Sequence, residues 1–184
     1  MYRQIPEGEV GPLFAKHNHS AAITECPNGD LLAIWYSCVT EPGPELCNAA
    51  SRLRFGAKDW EAPSPFWDGP DVNDHAPKLW WDGDKTLFHL VFVHGAQNIV
   101  RTSTDNGATW SKARLFPMSG EFGNSIIRTR EGMLAISLDG ASLVISRDNG
   151  QTWTETGAKR GKMELSPGGS GPCMAGIHAP LVQL

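Results

Sequence analysis

The chain is 184 residues long, 40% of them hydrophobic, with a net charge of −4. That is enough for a real apolar core, and no Lys/Arg run suggests a nucleic-acid partner. No stretch approaches the roughly 18 apolar residues of a membrane span, and 20 Gly, 13 Pro, 7 Trp and 7 Phe favour strands joined by tight turns over helices.

In chain order, apolar runs bounded by turn formers predict strands at residues 20–25 and 31–37 around the turn Pro27-Asn28-Gly29-Asp30, then 48–54 beyond a polar loop at 38–47. A second set reads 76–81, the turn Asp82-Gly83-Asp84, 86–93, 99–103 and 111–116. A third reads 124–129, the turn Arg130-Glu131-Gly132, 133–138, 143–146 and 152–156. Residues 178–184 repeat the opening of a set.

The last two complete sets share one pattern. Ser103-Thr104-Asp105-Asn106-Gly107-Ala108-Thr109-Trp110 and Ser146-Arg147-Asp148-Asn149-Gly150-Gln151-Thr152-Trp153 recur with a period of about 43 residues, the size of one propeller blade. Ser and Asp side chains bond backbone amides of a tight turn, Gly takes angles that other residues avoid, and the Trp packs beneath. In the first set Ser51, Gly56 and Trp60 stand at this place, with two extra residues and no Asp at the motif position.

These patterns are Asp-boxes, and the chain resembles the sialidase-like (BNR repeat) β-propeller superfamily from about residue 15 onward. The segment His17-Asn18-His19-Ser20-Ala21-Ala22-Ile23, followed by Pro27-Asn28-Gly29-Asp30-Leu31-Leu32-Ala33-Ile34-Trp35-Tyr36-Ser37, is similar to that family's opening blade. The expected fold is all-β, a β-propeller of four-stranded antiparallel blades that is incomplete in this chain. Residues 1–184 then form one propeller region: blade 1 at about 19–67, blade 2 at about 75–116, blade 3 at about 124–156, and the start of blade 4 at 178–184. An open propeller leaves two unsatisfied sheet edges, so the remaining blades are expected from a longer chain or from a second subunit.

In such blades the Asp-boxes share one rim with the first tight turns, which makes their aspartates structural. The longer polar loops collect on the opposite rim, where binding and catalysis usually sit. Aligning the sets puts His19, His75, Asn124 and His178 at one equivalent place, ringing the axis. Imidazole exchanges protons near neutral pH, so His19 and His75, with the adjacent Asp74, are candidate catalytic groups. Asn18, Tyr36, Arg52, Asn124 and His178 are candidate substrate contacts. The competing reading is that repeat-derived histidines bond neighbouring blades and that Arg52, Arg101 and Arg128 form interblade salt bridges.

No metal site and no cofactor is expected, because equivalent positions on adjacent blades lie too far apart for ligation at about 2.1 Å. Cysteines 26, 38, 47 and 173 lack metal-finger spacing; Cys38 and Cys47 could bridge their loop or stay unpaired.

The resemblance implies a carbohydrate-active enzyme, an exo-glycosidase acting on a terminal or acidic sugar of a glycan. Sialidases of the superfamily use an Asp acid/base, a Tyr–Glu nucleophile and three arginines on the sugar carboxylate. Here no Phe/Tyr-Arg-Ile-Pro segment supplies the first arginine, Asp68, Asp71 or Asp74 could stand as the acid/base, and any downstream arginines and Tyr–Glu pair would lie beyond Leu184. Related propellers act as polysaccharide lyases, in which His or Tyr removes the proton alpha to a uronic carboxylate. A third alternative is a glycan-binding propeller without turnover. The family is often secreted or periplasmic; residues 1–7 carry no apolar signal region, so the compartment stays open.

Overall fold

A computed structural model describes residues 15–118, 120–123, 126–138, 142–156 and 181. The described elements are strands, arranged as three four-stranded antiparallel sheets, each a simple meander. The all-β, blade-type fold expected from the sequence is what forms. Among the described residues no helix is long and apolar enough to cross a membrane. The chain divides into two compact units, 1–116 and 117–184.

The first unit holds two sheets. One orders β1 (His17–Glu25), β2 (Leu31–Cys38), β3 (Cys47–Leu53) and β4 (Ser64–Trp67); the other orders β5 (Asn73–Trp81), β6 (Leu87–His94), β7 (Ile99–Ser103) and β8 (Arg114–Leu115). Alternate residues of β2 are buried, as strand geometry requires when one face meets a core. Leu32 and Ile34 of β2 join Cys26, Ala50, Leu79 and Leu87 in a cluster that spans both sheets, with Phe66, Trp81 and Trp110 against it. Burial of these apolar side chains, at about 1.5–3 kcal/mol each for the larger ones, is the main force holding the two sheets together.

The innermost strands share an irregularity. Between His19 and Ala22, β1 carries one residue more than its partner, and β5 does the same between His75 and Lys78. The residue after each histidine has a positive φ, 52° at Ser20 and 45° at Ala76. These are β-bulges, which bend a strand and re-aim its side chains. His19 and His75 therefore occupy the same structural place in successive sheets.

The second unit contains β9 (Ile127–Arg128), β10 (Leu134–Leu138), β11 (Ser142–Ser146) and β12 (Thr154–Thr156). Leu134, Ile136, Leu138 and Val144 are buried in its core. The last strand starts two residues later than the sequence pattern suggests, because Asp148 holds the Thr152 amide at 2.8 Å and also accepts its hydroxyl. Cys26, Cys38 and Cys47 are buried, and no bridge joins Cys38 to Cys47 across their loop; Cys173 lies outside the described residues.

Candidate functional site

Two ends of the first unit differ in chemistry. At one end stands the Asp-box of β7 and β8. Ser103 Oγ donates to Asp105 at 2.7 Å and accepts the Gly107 amide at 2.9 Å. Asp105 in turn accepts the Thr109 amide at 2.9 Å and its hydroxyl at 2.6 Å. Asn106 and Gly107 take the left-handed angles of the turn, φ 62° and 74°. The Thr109 hydroxyl above all, then its amide and Ser103, hold the Asp105 carboxyl down at about 2. The second box repeats this around Ser146, Asp148 and Thr152, again with a carboxyl at about 2. These aspartates are spent on the backbone of their own turns.

The same end receives the first turn of the chain: the Asn28 amide donates to Asn106 Oδ1 at 3.1 Å. Arg52 belongs here too. Nearly buried, it pairs with Asp30 at 3.2 Å and donates to the Asn106 carbonyl at 2.7 Å. Its ion pair to Asp30 lies within the first sheet, its bond to the Asn106 carbonyl crosses to the second, and it stands far along β3 from the other candidate residues. The box-like segment of the first sheet has no Asp at the motif position, and Asp30 takes that place by accepting the Phe55 amide at 2.8 Å.

At the opposite end of the first unit, side chains from β1, β2, β5 and the 39–46 loop converge. His19 and Tyr36 are register partners on β1 and β2, and the Tyr36 hydroxyl lies 3.0 Å from His19 Nδ1. The same hydroxyl donates to Glu41 Oε1, which also meets His75 Nε2 at 3.2 Å. The Tyr36 ring is the hub of three imidazoles, with centroids 4.8 Å from His75, 5.6 Å from His19 and 5.9 Å from His17. Tyr36 is wholly buried, whereas the side chains of His19 and Glu41 are 58% and 46% exposed. The Tyr36 hydroxyl first, and then His75, hold the Glu41 carboxyl below its ordinary range.

The loop carrying Glu41 is held from the second sheet. Buried Asn73 donates from Nδ2 to the carbonyls of Glu41 and Gly43, at 2.7 and 2.8 Å. Thr40 adds bonds from its amide and hydroxyl to Glu45 Oε1, at 3.2 and 3.1 Å. Glu41 is therefore presented by a braced turn.

Of the residues singled out from sequence, the structure brings His19, Tyr36 and His75 together. Asp74 points elsewhere: its buried carboxylate accepts the Gly69 amide and the Trp67 indole, and burial pushes its carboxyl up from the ordinary value. Asn18 faces away from the imidazoles, bonding Ala15 and the Trp35 indole. Asn124 and His178 lie outside the described residues. Three further residues complete the cluster, His17, Glu41 and Asn73. His17 was readable from strand alternation, since it shares a face with His19. Glu41 sits in a loop already marked as polar, and nothing in the sequence marked Asn73.

A second buried polar group lies between β6 and β7. The Arg101 guanidinium sits 4.5 Å from the Trp67 ring, with Phe66 and Trp110 at 5.2 and 5.3 Å, and donates to His89 Nδ1 at 3.2 Å. Burial lowers Arg101 to about 10, and burial followed by Arg101 keeps His89 neutral. This is an interior cation–π rivet. The one group of potential metal donors among the described residues is His17, His19 and Glu41, whose ligand atoms lie within 4.8 Å of one another. They come from a single sheet, not from equivalent positions on successive ones.

The BNR/Asp-box repeat model matches residues 101–112 and 144–155, the two boxes with their flanking strands. No curated protein sequence matches the chain. Among solved structures, it is similar to the Hadza microbial sialidase Hz136 at 17% identity and a TM-score of 0.63, over 77% of this chain and 37% of that one. A Trypanosoma rangeli sialidase in complex with sialic acid matches at 14% identity and a TM-score of 0.55, over 77% of this chain and 30% of that one. A Penicillium chrysogenum alpha-L-arabinanase complexed with arabinobiose matches at 14% identity and a TM-score of 0.57, over 72% of this chain and 43% of that one. The chain thus spans well under two thirds of the length of these proteins. It carries BNR/Asp-box repeats on blades of the sialidase-like β-propeller fold.

Proposed function

We propose that the chain contributes the proton-transfer end of a glycoside-hydrolase-type site, acting on a terminal or acidic sugar of a glycan. The observation that carries this reading is the convergence of His19, Tyr36, Glu41 and His75 at the end of the first unit away from the Ser103–Trp110 corner. The structural neighbours add the substrate class, since two of them are described with sialic acid and with arabinobiose.

The chemistry follows from the hydrogen bonds. The bonds from Tyr36 and His75 hold the Glu41 carboxyl below its ordinary range, so it stands as a carboxylate beside the His75 imidazole. His75, held by Glu41, can pass a proton to a departing glycosidic oxygen, with the carboxylate stabilising and orienting the imidazole that gives it. Tyr36, being buried, orients Glu41 and His19. Asp74 acts as a positioning residue, because its bonds to Gly69 and Trp67 fix the strand that presents His75. Most glycosidases place two carboxylates about 5–9.5 Å apart across the bond they cleave; Glu41 and His75 stand 3.2 Å apart and so act as one unit on one side of it. Asn124 and His178 remain candidates for sugar contacts. Arg52 and Asn18 have no part in this reading, because their side chains are engaged elsewhere.

Product release from a glycan panel, read by mass spectrometry, tests the reading with the wild type and His75→Ala. A loss of about 100-fold or more, with an unchanged melting temperature, is expected. Full activity in His75→Ala overturns it. An unsaturated uronic product absorbing in the ultraviolet would assign lyase chemistry instead, and saturable glycan binding without product would assign a binding module.

A further inference from the structure

We propose that His17, His19 and Glu41 form a binding site for a divalent metal ion of the zinc class. The donor set comes first. Two imidazoles and one carboxylate suit zinc and its first-row neighbours, whereas calcium and magnesium prefer oxygen ligands throughout.

Geometry agrees. His17 and His19 are alternate residues of β1, so they project from one face, and their ring centroids are 5.4 Å apart. Across to the loop, His19 Nδ1 already lies 3.8 Å from Glu41 Oε1, and all three donor atoms fall within 4.8 Å of one another. Tetrahedral ligands at about 2.1 Å from zinc stand about 3.4 Å apart.

An independent observation points the same way. His17 Nε2 is buried yet has no hydrogen-bond partner among the described residues. Buried polar atoms are paired in the great majority of cases, and one left over calls for an explanation. A metal ion supplies the missing partner. The surroundings resemble a metal site's supporting groups as well: the Tyr36 hydroxyl and His75 Nε2 both bond Glu41 Oε1, and Asn73 fixes the loop behind it. Such outer contacts orient ligands and raise affinity. Three protein donors leave one position open, and the exposure of His19 and Glu41 turns that position toward solvent.

This proposal goes beyond the proton-transfer reading and is tested with no glycan present. The full chain is dialysed against Zn2+ alone and the bound metal is counted. One zinc per chain is expected for the wild type and for His94→Ala, which removes an exposed histidine outside the cluster. His17→Ala and His19→Ala are expected to lose that zinc at the same free concentration, and His75→Asn to bind about 10-fold more weakly. Co2+ substitution should give visible d–d absorption without a thiolate charge-transfer band. Should His17→Ala fail to fold, as judged by metal-free melting, His19→Ala carries the test, since that side chain is largely exposed. Absence of stoichiometric zinc, zinc retained in both alanine variants, or a thiolate-to-cobalt band overturns the proposal, and each result is independent of whether any sugar is cleaved.

Discussion

The Asp-box corner and the imidazole cluster stand at opposite ends of the same two sheets and are built on opposite principles. In the corner, Ser103, Asp105, Gly107 and Thr109 satisfy one another within a few residues. In the cluster, groups from His17 to His75 crowd around a single carboxylate, and His19 and Glu41 stay open to solvent. A fully paired local network makes a rigid corner and has nothing left to offer a ligand. Polar groups gathered from distant segments around one carboxylate are costly to keep, and chemistry is the usual reason for keeping them.

Exchanging the damage between the two ends would break this contrast most visibly. Glu41→Gln should cut glycan turnover by about 100-fold or more while leaving the melting temperature unchanged. Asp105→Ala should lower the melting temperature and leave turnover per folded molecule unchanged. The opposite outcome would mean that the corner, not the cluster, meets the substrate.

Asn73→Ala sharpens the comparison at intermediate size. It deletes two bonds from a buried amide to the loop behind Glu41, and denaturant unfolding should show a loss of about 1–3 kcal/mol, with turnover falling as well. A stability loss with full turnover would show that the loop needs no bracing.

Acid has the smallest effect. The Asp105 and Asp148 carboxyls titrate at about 2 in the folded chain, below the ordinary 3.8, so folding favours their ionised forms. Their stabilisation is complete above the ordinary value and disappears as pH falls from there towards 2. The gap in melting temperature between wild type and Asp105→Ala should therefore close over that interval. A gap that persists at the acid end would assign the corner's stability to something other than these carboxylates.

The same contrast explains what could be read from the amino-acid order. The boxes were legible because their partners lie two to four positions apart, so Ser103, Asp105 and Thr109 carry their own geometry. The pairing of His19 with His75 was legible because the repeat places them at equivalent positions. Glu41 was visible only as part of a polar loop, since its placement depends on Asn73, 32 residues away. The roles of Arg52 and Asp74 were hidden for a similar reason. Each residue type suits a binding site, and only the partners Asp30, Asn106 and Trp67 show that the charges are already committed.

The extra residue after His19, matched by the one after His75, reaches beyond its own turn. Side chains alternate across a strand, so deleting Ser20 or Ala76 would swap which face every preceding residue of that strand presents. A trimmed β1 would carry both its imidazoles round to the wrong side in one step, with no loss of composition and almost no change in length. Gene-level insertions and deletions at Ser20 or Ala76 should therefore be far less tolerated than point substitutions there.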